Sequence, residues 1–337
     1  SSMAGGFLAL LFSIFFFGLL TYTTPLVAQY LGAKKKKYCP VIATQGFLIA
    51  LAAAPCLMFA GYYLAPYYFD LVGIIEEEKA LALKYFNIMN CFTLFPLLNV
   101  IFAGFFSGIK RTNLVMYSNL TAMIINIPLT YFLIHHGIMG YFKGIEGAAL
   151  ATGISTVFIV ITYAYFYFSK ENTSKYLVLE SFYFDRKICK KLLHFGLPTA
   201  VEFFLIFFAF NTFVALFHSY GSDEALAITI TFNWDIIAFL PLWGLNIGIM
   251  SLTGTYMGAK QVEYAKKTTY SGAIIAYSLI VGFSFVFVFF THELVQLFVV
   301  DELLSEDSTA IQLAHFMLQT VSIYCFAEAT NMVFSAT

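Results

Sequence analysis

The sequence Tyr30-Leu-Gly-Ala-Lys34 returns as Tyr256-Met-Gly-Ala-Lys260, 226 positions later. Each copy stands at the end of a long apolar stretch. Other residues match at this offset or at an offset of 230: Gly18 with Gly244, Tyr38 with Tyr264, Gly46 with Gly272, Ala80 with Ala310, Leu83 with Leu313 and Phe86 with Phe316. The chain therefore contains two copies of one structural unit.

The composition places this unit in a membrane. The chain is 60% hydrophobic and only 11% charged, whereas about a quarter of the residues of a soluble domain are charged. Apolar stretches of about 20 residues span a bilayer as helices, which satisfy their own backbone groups. We therefore predict an all-α membrane protein with about nine transmembrane helices, near residues 4–30, 41–66, 82–107, 113–135, 147–169, 194–218, 226–254, 268–291 and 310–337.

The charges alternate along the chain. Most basic residues lie in the connections 34–37, 110–111, 170–191 and 260–267. The intervening connections carry acids: Asp70, Glu76 to Glu78, Asp223, Glu224, Asp301, Glu302, Glu306 and Asp307. Because basic loops stay in the cytoplasm, we predict that these four basic connections are cytoplasmic and that the multi-pass protein lies in the cell membrane. The position of the basic run 34–37 beside the membrane accounts for its charge, so we expect no nucleic-acid partner.

The two copies are unequally complete. A helix at 194–218 precedes the second copy and has no counterpart in the first. Two helices, 113–135 and 147–169, follow the first copy and have no counterpart in the second. A complete molecule would have six helices per repeat, so we expect this chain to lack the first of twelve helices and the last two. An even number of helices makes the repeats parallel. The expected lobes are 1–169 (helices two to six) and 194–337 (helices seven to ten), joined by a cytoplasmic linker at 170–193.

Three carboxylates fall at membrane depth, where an unpaired charge is costly: Glu202, Asp235 and Glu328. The repeat alignment places Ala9 opposite Asp235 and Leu98 opposite Glu328. These two acids were thus not duplicated with the scaffold, and the asymmetry favours a functional role over an architectural one.

Glu328 shares one helical face with Tyr324 and Asn331, because the three are spaced i, i+4 and i+7. Oxygen-bearing side chains in this arrangement suit a hard cation such as sodium, or a protonatable site. The alternative is a hydrogen-bond network between helices.

Glu202 and Asp235 each have a functional and a structural interpretation. Glu202 lies four residues after Pro198, so it is either an ion ligand or an interfacial carboxylate near the helix end. Asp235 precedes Pro241 by about two turns, and proline opens a helix by freeing a carbonyl. The alternative for Asp235 is an interfacial pair with Trp234.

Neutral polar residues supply candidates for a substrate cavity. Asn119, Asn126 and Thr130 share one face and suit either a cavity or helix packing. Asn211 and Asn233 are further cavity candidates. The 40 Phe and 22 Tyr could bind aromatic cations through cation–π contact, or simply face lipid.

Several classes of site find no support. The five cysteines are scattered, which argues against a disulfide framework or a cysteine-based metal site. No GxSxG, HExxH, Walker or Rossmann pattern occurs, so we expect no enzyme and no cofactor beyond a coupling ion.

Several segments together resemble the multidrug and toxic compound extrusion (MATE) transporters. They are Thr24-Pro-Leu-Val-Ala-Gln-Tyr-Leu-Gly-Ala33, Phe102-Ala-Gly-Phe-Phe-Ser-Gly108, Asn126-Ile-Pro128, Gly144-Ile-Glu-Gly-Ala-Ala-Leu-Ala-Thr152, Gly196-Leu-Pro198 and Tyr256-Met-Gly-Ala259. The resemblance implies a twelve-helix exporter with two six-helix lobes around a central cavity. It also implies export of bulky, lipophilic, often cationic compounds in exchange for sodium or protons.

The resemblance extends to individual residues. Tyr324 and Glu328 match the family's Tyr-x-x-x-acid pattern in the tenth helix, where a cation binds. Glu202 resembles a carboxylate of the seventh helix. A further family pattern, Asn-x-x-x-Asp in the fifth helix, is Asn126 followed by Thr130 here, which argues against a proton site in the first lobe.

The prediction is therefore a monomeric cation-coupled antiporter in which Glu202, Glu328 and Tyr324, with Asp235 and Asn331, bind sodium or a proton. Two alternatives remain. A lipid-linked saccharide flippase would need a more basic cavity to hold pyrophosphate. A channel or membrane receptor, a different class of protein, would show steady current or ligand binding without transport.

Overall fold

The computed structural model describes residues 2–72, 76–137, 141–298 and 309–337. The regular elements of this part of the chain are helical. They are α1 (Ser2–Thr21), α2 (Thr23–Gly32), α3 (Tyr38–Val72), α4 (Glu76–Cys91), α5 (Leu94–Gly108), α6 (Thr112–His136), α7 (Ile145–Tyr167), α8 (Lys170–Tyr176), a short 3-10 turn (Val178–Glu180), α9 (Arg186–Tyr220), α10 (Ser222–Gly258), α11 (Val262–Phe289), α12 (Thr291–Gln296) and α13 (Thr309–Ser335).

Eight spans among the described residues are long and apolar enough to cross a bilayer, the first formed by α1 and α2 together. The pair α4 and α5, bent by 50° at a short break, is a ninth if the two helices form one crossing. At the break, the Thr93 hydroxyl donates to the Asn90 carbonyl at 2.7 Å, and the Asn90 amide donates to the Met58 carbonyl at 2.8 Å. These bonds help to satisfy polar groups where the helix is interrupted. The predicted all-α, multi-pass fold is confirmed.

The repeated Gly-Ala-Lys segments end their helices in the same way. Lys34 adopts a left-handed φ of 60°, and the Lys35 N–H donates to the Tyr30 carbonyl at 2.9 Å. In the second copy Lys260 also has a φ of 60°, and the Gln261 N–H makes the equivalent bond at 2.8 Å. This is the Schellman arrangement, which satisfies carbonyls left over at a helix end. The sequence repeat is thus a structural repeat.

An aromatic pair across each of these helix ends is also repeated. The ring centroids of Tyr30 and Tyr38 are 5.6 Å apart, and those of Tyr256 and Tyr264 are also 5.6 Å apart. Each pair joins a helix to the one that follows it. The turn and its packing were therefore conserved together when the unit was duplicated.

The chain forms two compact units, Ser1–Phe207 and Phe208–Thr337, and the boundary lies within α9. The core of the first unit is aromatic where α5 meets α7. The Tyr167 ring lies 4.9 Å from Phe105 and 5.4 Å from Phe102, and Tyr163 lies 5.7 Å from Phe106. Both tyrosines are fully buried. The core of the second unit is mainly aliphatic and lies among α10, α11, α12 and α13.

The predicted inter-lobe linker packs onto the first unit. The Gln45 side chain donates to the Tyr183 carbonyl at 2.9 Å and accepts from the Asp185 N–H at 3.1 Å. Tyr176 is 2% exposed, and its burial raises the pKa of its phenol above the usual 10.0. The compact unit continues beyond this linker to Phe207. The division into lobes at residues 169 and 194 stays a prediction from the repeat.

Two of the basic residues outside the four basic connections form ion pairs. Lys84 forms an ion pair with Glu146 at 3.2 Å, and Lys79 forms one with Asp70. These pairs neutralise charge that departs from the alternating pattern. The acids at 301, 302, 306 and 307 lie outside the described residues.

Glycines allow α5 to approach α2 closely. A Cβ atom on Gly108 would lie 2.7 Å from the Val27 Cβ and 2.9 Å from the Thr24 carbonyl oxygen. One turn earlier, a Cβ on Gly104 would lie 3.1 Å from the Thr23 Cβ. Small residues of this kind bring helix backbones together in membranes, where apolar side chains gain little from mutual burial. This contact explains two glycines of the segment 102–108.

We predict that Gly108→Ala destabilises the protein by about 1–3 kcal/mol, because the added methyl group overpacks the contact with α2. Gly244→Ala is the matched control, because a Cβ there meets nothing within 4 Å. That control should be neutral or stabilising by about 0.5–1 kcal/mol, since alanine favours a helix. Unfolding of the purified protein in detergent measures both variants, and equal stabilities would contradict the packing argument.

Candidate functional site

Three side chains that could bind an ion meet between α10 and α13. Asp235 lies on α10, whereas Cys325 and Glu328 lie on α13, three residues apart and thus on one face. Their ligand atoms all lie within 4.8 Å of one another. The Cys325 thiol donates to the Asp235 carboxylate, with Sγ 3.8 Å from Oδ1. We call this set the Asp-Cys-Glu cluster.

The cluster is enclosed, and one of its oxygens lacks a partner. Cys325 is fully buried, and Asp235 and Glu328 are partly buried. The Glu328 Oε2 atom is inaccessible and accepts no hydrogen bond within the protein. Buried polar atoms are nearly always hydrogen-bonded, so this oxygen remains able to accept a proton or to bind a cation.

Neighbouring contacts hold the helices of the cluster in place. The Trp234 indole donates to the Leu294 carbonyl at 3.1 Å, and the Asn246 amide donates to the Met332 carbonyl at 2.6 Å. Trp234 therefore bonds to α12, while the neighbouring Asp235 accepts from α13. The geometry does not favour the alternative in which Asp235 simply pairs with Trp234.

The other predicted ligands of α13 flank the cluster. Tyr324 is 55% exposed and Asn331 is also exposed. Neither belongs to the group whose ligand atoms converge. Glu202 lies on α9 within the first unit, where its side chain is exposed. A role for these three residues in ion binding stays a prediction.

The neutral candidates of α6 mostly make contacts between helices. Asn119 donates to the Tyr163 hydroxyl at 2.9 Å, and Asn126 donates to the Ser155 hydroxyl at 3.0 Å. Thr130 donates to the Asn126 side chain at 3.5 Å. The first two bonds join α6 to α7, as helix packing requires, and the third lies within α6. A role for these residues in a substrate cavity stays a prediction.

The two remaining cavity candidates lie in the second unit. Asn233 is exposed and donates to the Thr229 carbonyl of its own helix at 2.8 Å. Asn211 is partly buried on α9. Their role as substrate contacts stays a prediction.

The first unit has no equivalent acids where the cluster would recur. Ala9, opposite Asp235, packs beside one apolar cluster, and Leu98, opposite Glu328, packs beside another. The asymmetry that the sequence indicated is therefore present in the packing.

Sequence reasoning missed Cys325. The scattered cysteines argued against a site built on a thiol, yet Cys325 stands three residues before Glu328. That spacing places both on one helical face and was the available signal. The sequence does not show which of the five cysteines meets an acid from another helix, because that contact depends on the packing of α10 against α13.

The spacing of the cluster fits a hard cation. Oxygen ligands bind such ions at about 2.3–2.6 Å, so two ligands on opposite sides of one ion are about 4.6–5.2 Å apart. The ligand atoms of the cluster lie within 4.8 Å of one another, which is close enough for one such ion to bridge two of them. A cation or a shared proton would also relieve the repulsion between two neighbouring carboxylates.

Comparison with known proteins agrees with this architecture. The model of the MatE family matches residues 2–132 and 198–337. A probable multidrug resistance protein NorM from Bacillus cereus is 25% identical over 290 residues, covering 84% of this chain and 63% of that protein. A protein of the same name from Pasteurella multocida is 25% identical over 324 residues, covering 95% and 68%. The chain thus spans about 63% of the length of the first of these relatives.

Solved structures share the fold. A MOP superfamily transporter from Pyrococcus furiosus, described as having a binding pocket of reverse polarity, matches with a TM-score of 0.87 at 21% identity, covering 99% of this chain and 73% of that one. A MATE structure in complex with MaD3S matches with a TM-score of 0.85 at 21% identity, covering 99% and 73%. Because the family model matches well over half of the chain, this protein belongs to the MatE family of MATE transporters.

Proposed function

We propose that the whole protein is a cation-coupled antiporter that exports bulky, lipophilic, often cationic organic compounds, with Asp235 and Glu328 as the coupling site. The observation that carries this proposal is the buried, unpartnered Glu328 Oε2 beside Asp235. The multidrug resistance proteins among its relatives support the substrate class. The protein is proposed to act as a monomer in the cell membrane.

The mechanism rests on charge in the cluster. With both carboxylates ionised and no ion bound, repulsion opposes the contact between α10 and α13. Sodium or a proton between them removes this repulsion and favours the packed state. An ion shifts a conformational equilibrium only through its different affinities for the two states. The packed and separated arrangements of these helices supply such a difference, which couples ion occupancy to the release of substrate.

Tyr324 and Glu202 complete the proposal. Tyr324 precedes Cys325 on α13 and is exposed, so its hydroxyl is available to the ion or to a cationic substrate. Glu202, exposed on α9, is proposed as a further ligand during the transport cycle. Asn331, near the end of α13, is also proposed as a further ligand.

We predict that Glu328→Gln reduces gradient-driven efflux at least tenfold, because the amide keeps the shape of the side chain but cannot balance a cation. Efflux from vesicles containing the whole protein is measured under separately imposed sodium and pH gradients. The gradient that drives export identifies the coupling ion. Undiminished efflux by Glu328→Gln would refute the assignment.

Glu263→Gln is the matched control for this experiment. Glu263 is an exposed carboxylate at the start of α11 and pairs with Lys266 at 3.1 Å. The same chemical change at that position should leave efflux within about twofold of the parent, since surface ion pairs contribute little.

The flippase alternative has less support. Among the described residues, the buried polar side chains include no Lys or Arg that could hold a pyrophosphate within the membrane.

A channel or receptor differs from an antiporter in its response to gradients. Steady current, or binding of a substrate without its movement, would favour that alternative over antiport.

The orientation is proposed from the basic connections at 34–37, 110–111, 170–191 and 260–267. We predict that Lys35→Cys is labelled by an impermeant maleimide only after the membrane is opened, whereas Asp223→Cys is labelled in intact cells. Both sites are exposed, and both variants are made in a background without the exposed Cys56 and Cys91. The opposite labelling pattern would invert the proposed topology.

A further inference from the structure

We propose that the Asp-Cys-Glu cluster is a binding site for a thiophilic divalent cation such as Cd²⁺ or Zn²⁺. Such an ion would coordinate the Cys325 thiolate and the carboxylates of Asp235 and Glu328, and thereby block transport. The binding rests on the cluster alone, whereas the block rests on the function proposed above.

The distances within the cluster suit such an ion. Zn²⁺ binds sulfur at about 2.3 Å and carboxylate oxygen at about 2.0–2.2 Å, and in a tetrahedral site these lengths place the two ligands about 3.6 Å apart. The observed separation between the Cys325 Sγ and the Asp235 Oδ1 is 3.8 Å. This pair of ligands therefore needs only a small movement to coordinate one metal ion.

Glu328 supplies the third ligand without losing an existing bond. Its Oε2 atom is buried and has no hydrogen-bond partner, so coordination satisfies an atom that the folded protein leaves unpaired. Water would fill the fourth position. Asp235 gives up only a weak S–H hydrogen bond, which is replaced by its own bond to the metal.

The thiol distinguishes this site from a site for sodium or a proton. Hard cations gain little from sulfur, whereas zinc and softer metals prefer thiolate ligands. On binding, the Cys325 S–H bond breaks, its proton passes to water and an S–metal bond forms. No electron transfer or further reactant is involved. Two carboxylates and one thiolate carry a charge of −3, so a divalent ion leaves the site only singly charged.

Cys39 offers a comparison within the same chain. It is fully buried like Cys325, but its thiol donates to the Val27 carbonyl at 3.7 Å. Among the described residues, the Asp-Cys-Glu cluster is the one group of three or more such ligands whose atoms converge. A buried thiol alone therefore does not provide the same site.

The experiment titrates the purified whole protein with Cd²⁺ and records the ultraviolet absorption of the Cd–thiolate bond. We expect saturable absorption that Cys325→Ser abolishes, with at least a tenfold loss of Cd²⁺ affinity. Glu328→Gln should retain a thiolate but weaken binding at least tenfold. Cys39→Ser should bind within about twofold of the parent. Absorption and affinity that are unchanged in Cys325→Ser would overturn the proposal.

A further variant covers the case in which Cys325→Ser does not fold. Asp235→Asn retains the thiol and removes one charged ligand, so its Cd²⁺ affinity should fall at least tenfold while the protein remains folded. Unchanged affinity in a folded Asp235→Asn protein would also count against the site. Mg²⁺ serves as a control ion and should neither absorb nor displace Cd²⁺ at equal concentration.

Transport is measured separately, so that the two proposals can fail independently. Cd²⁺ that binds at the cluster without altering efflux would support the metal site and contradict the coupling role of the cluster. Ion-driven efflux that is lost in Glu328→Gln, together with Cd²⁺ binding that is indifferent to Cys325, would support the coupling role and overturn the metal site.

Discussion

The absence of water from the bilayer core is the constraint on which the structure depends. Every backbone polar group in that region must find its partner within the protein, which leaves helices as the available form for this chain. The same constraint makes a buried carboxylate costly. It explains why interruptions such as the break between α4 and α5 carry specific bonds from Asn90 and Thr93. For the same reason, the buried Glu328 oxygen that lacks a hydrogen-bond partner is an unusual feature of the second unit.

The two copies of the duplicated unit share a scaffold but differ in the residues at one level. Both copies keep the helix end with a left-handed lysine, although this conformation costs a side-chain-bearing residue about 1–2 kcal/mol relative to the right-handed form. The hydrogen bonds of the Schellman arrangement and the tyrosine pairs offset part of this cost. At the level of Asp235 and Glu328 the copies differ, because the first unit places Ala9 and Leu98 against apolar clusters. The repeated scaffold thus surrounds an apolar region in one unit and the Asp-Cys-Glu cluster in the other.

The packing of α10 against α13 links stability to the proposed function. Trp234 and Asn246 donate hydrogen bonds to carbonyl groups of α12 and α13, and these bonds hold the helices together. In contrast, the carboxylates of Asp235 and Glu328 repel each other when both are ionised. Under the proposed mechanism, this helix pair has two arrangements, packed and separated. Small ions can select between such arrangements, because occupancy removes the repulsion without altering the apolar contacts.

Much of this molecule could be predicted from the sequence. Hydropathy and length predicted the spans, because a bilayer imposes one length on every crossing. The repeat predicted the shared helix ends at Lys34 and Lys260, and the i, i+4 pattern of α13 drew attention to Glu328. Only the tertiary structure decided that Asp235 and Cys325 meet Glu328, and that Asn119 and Asn126 bond to α7. Periodicity defines which face of a helix a residue occupies, whereas the neighbour that this face meets depends on how the helices pack.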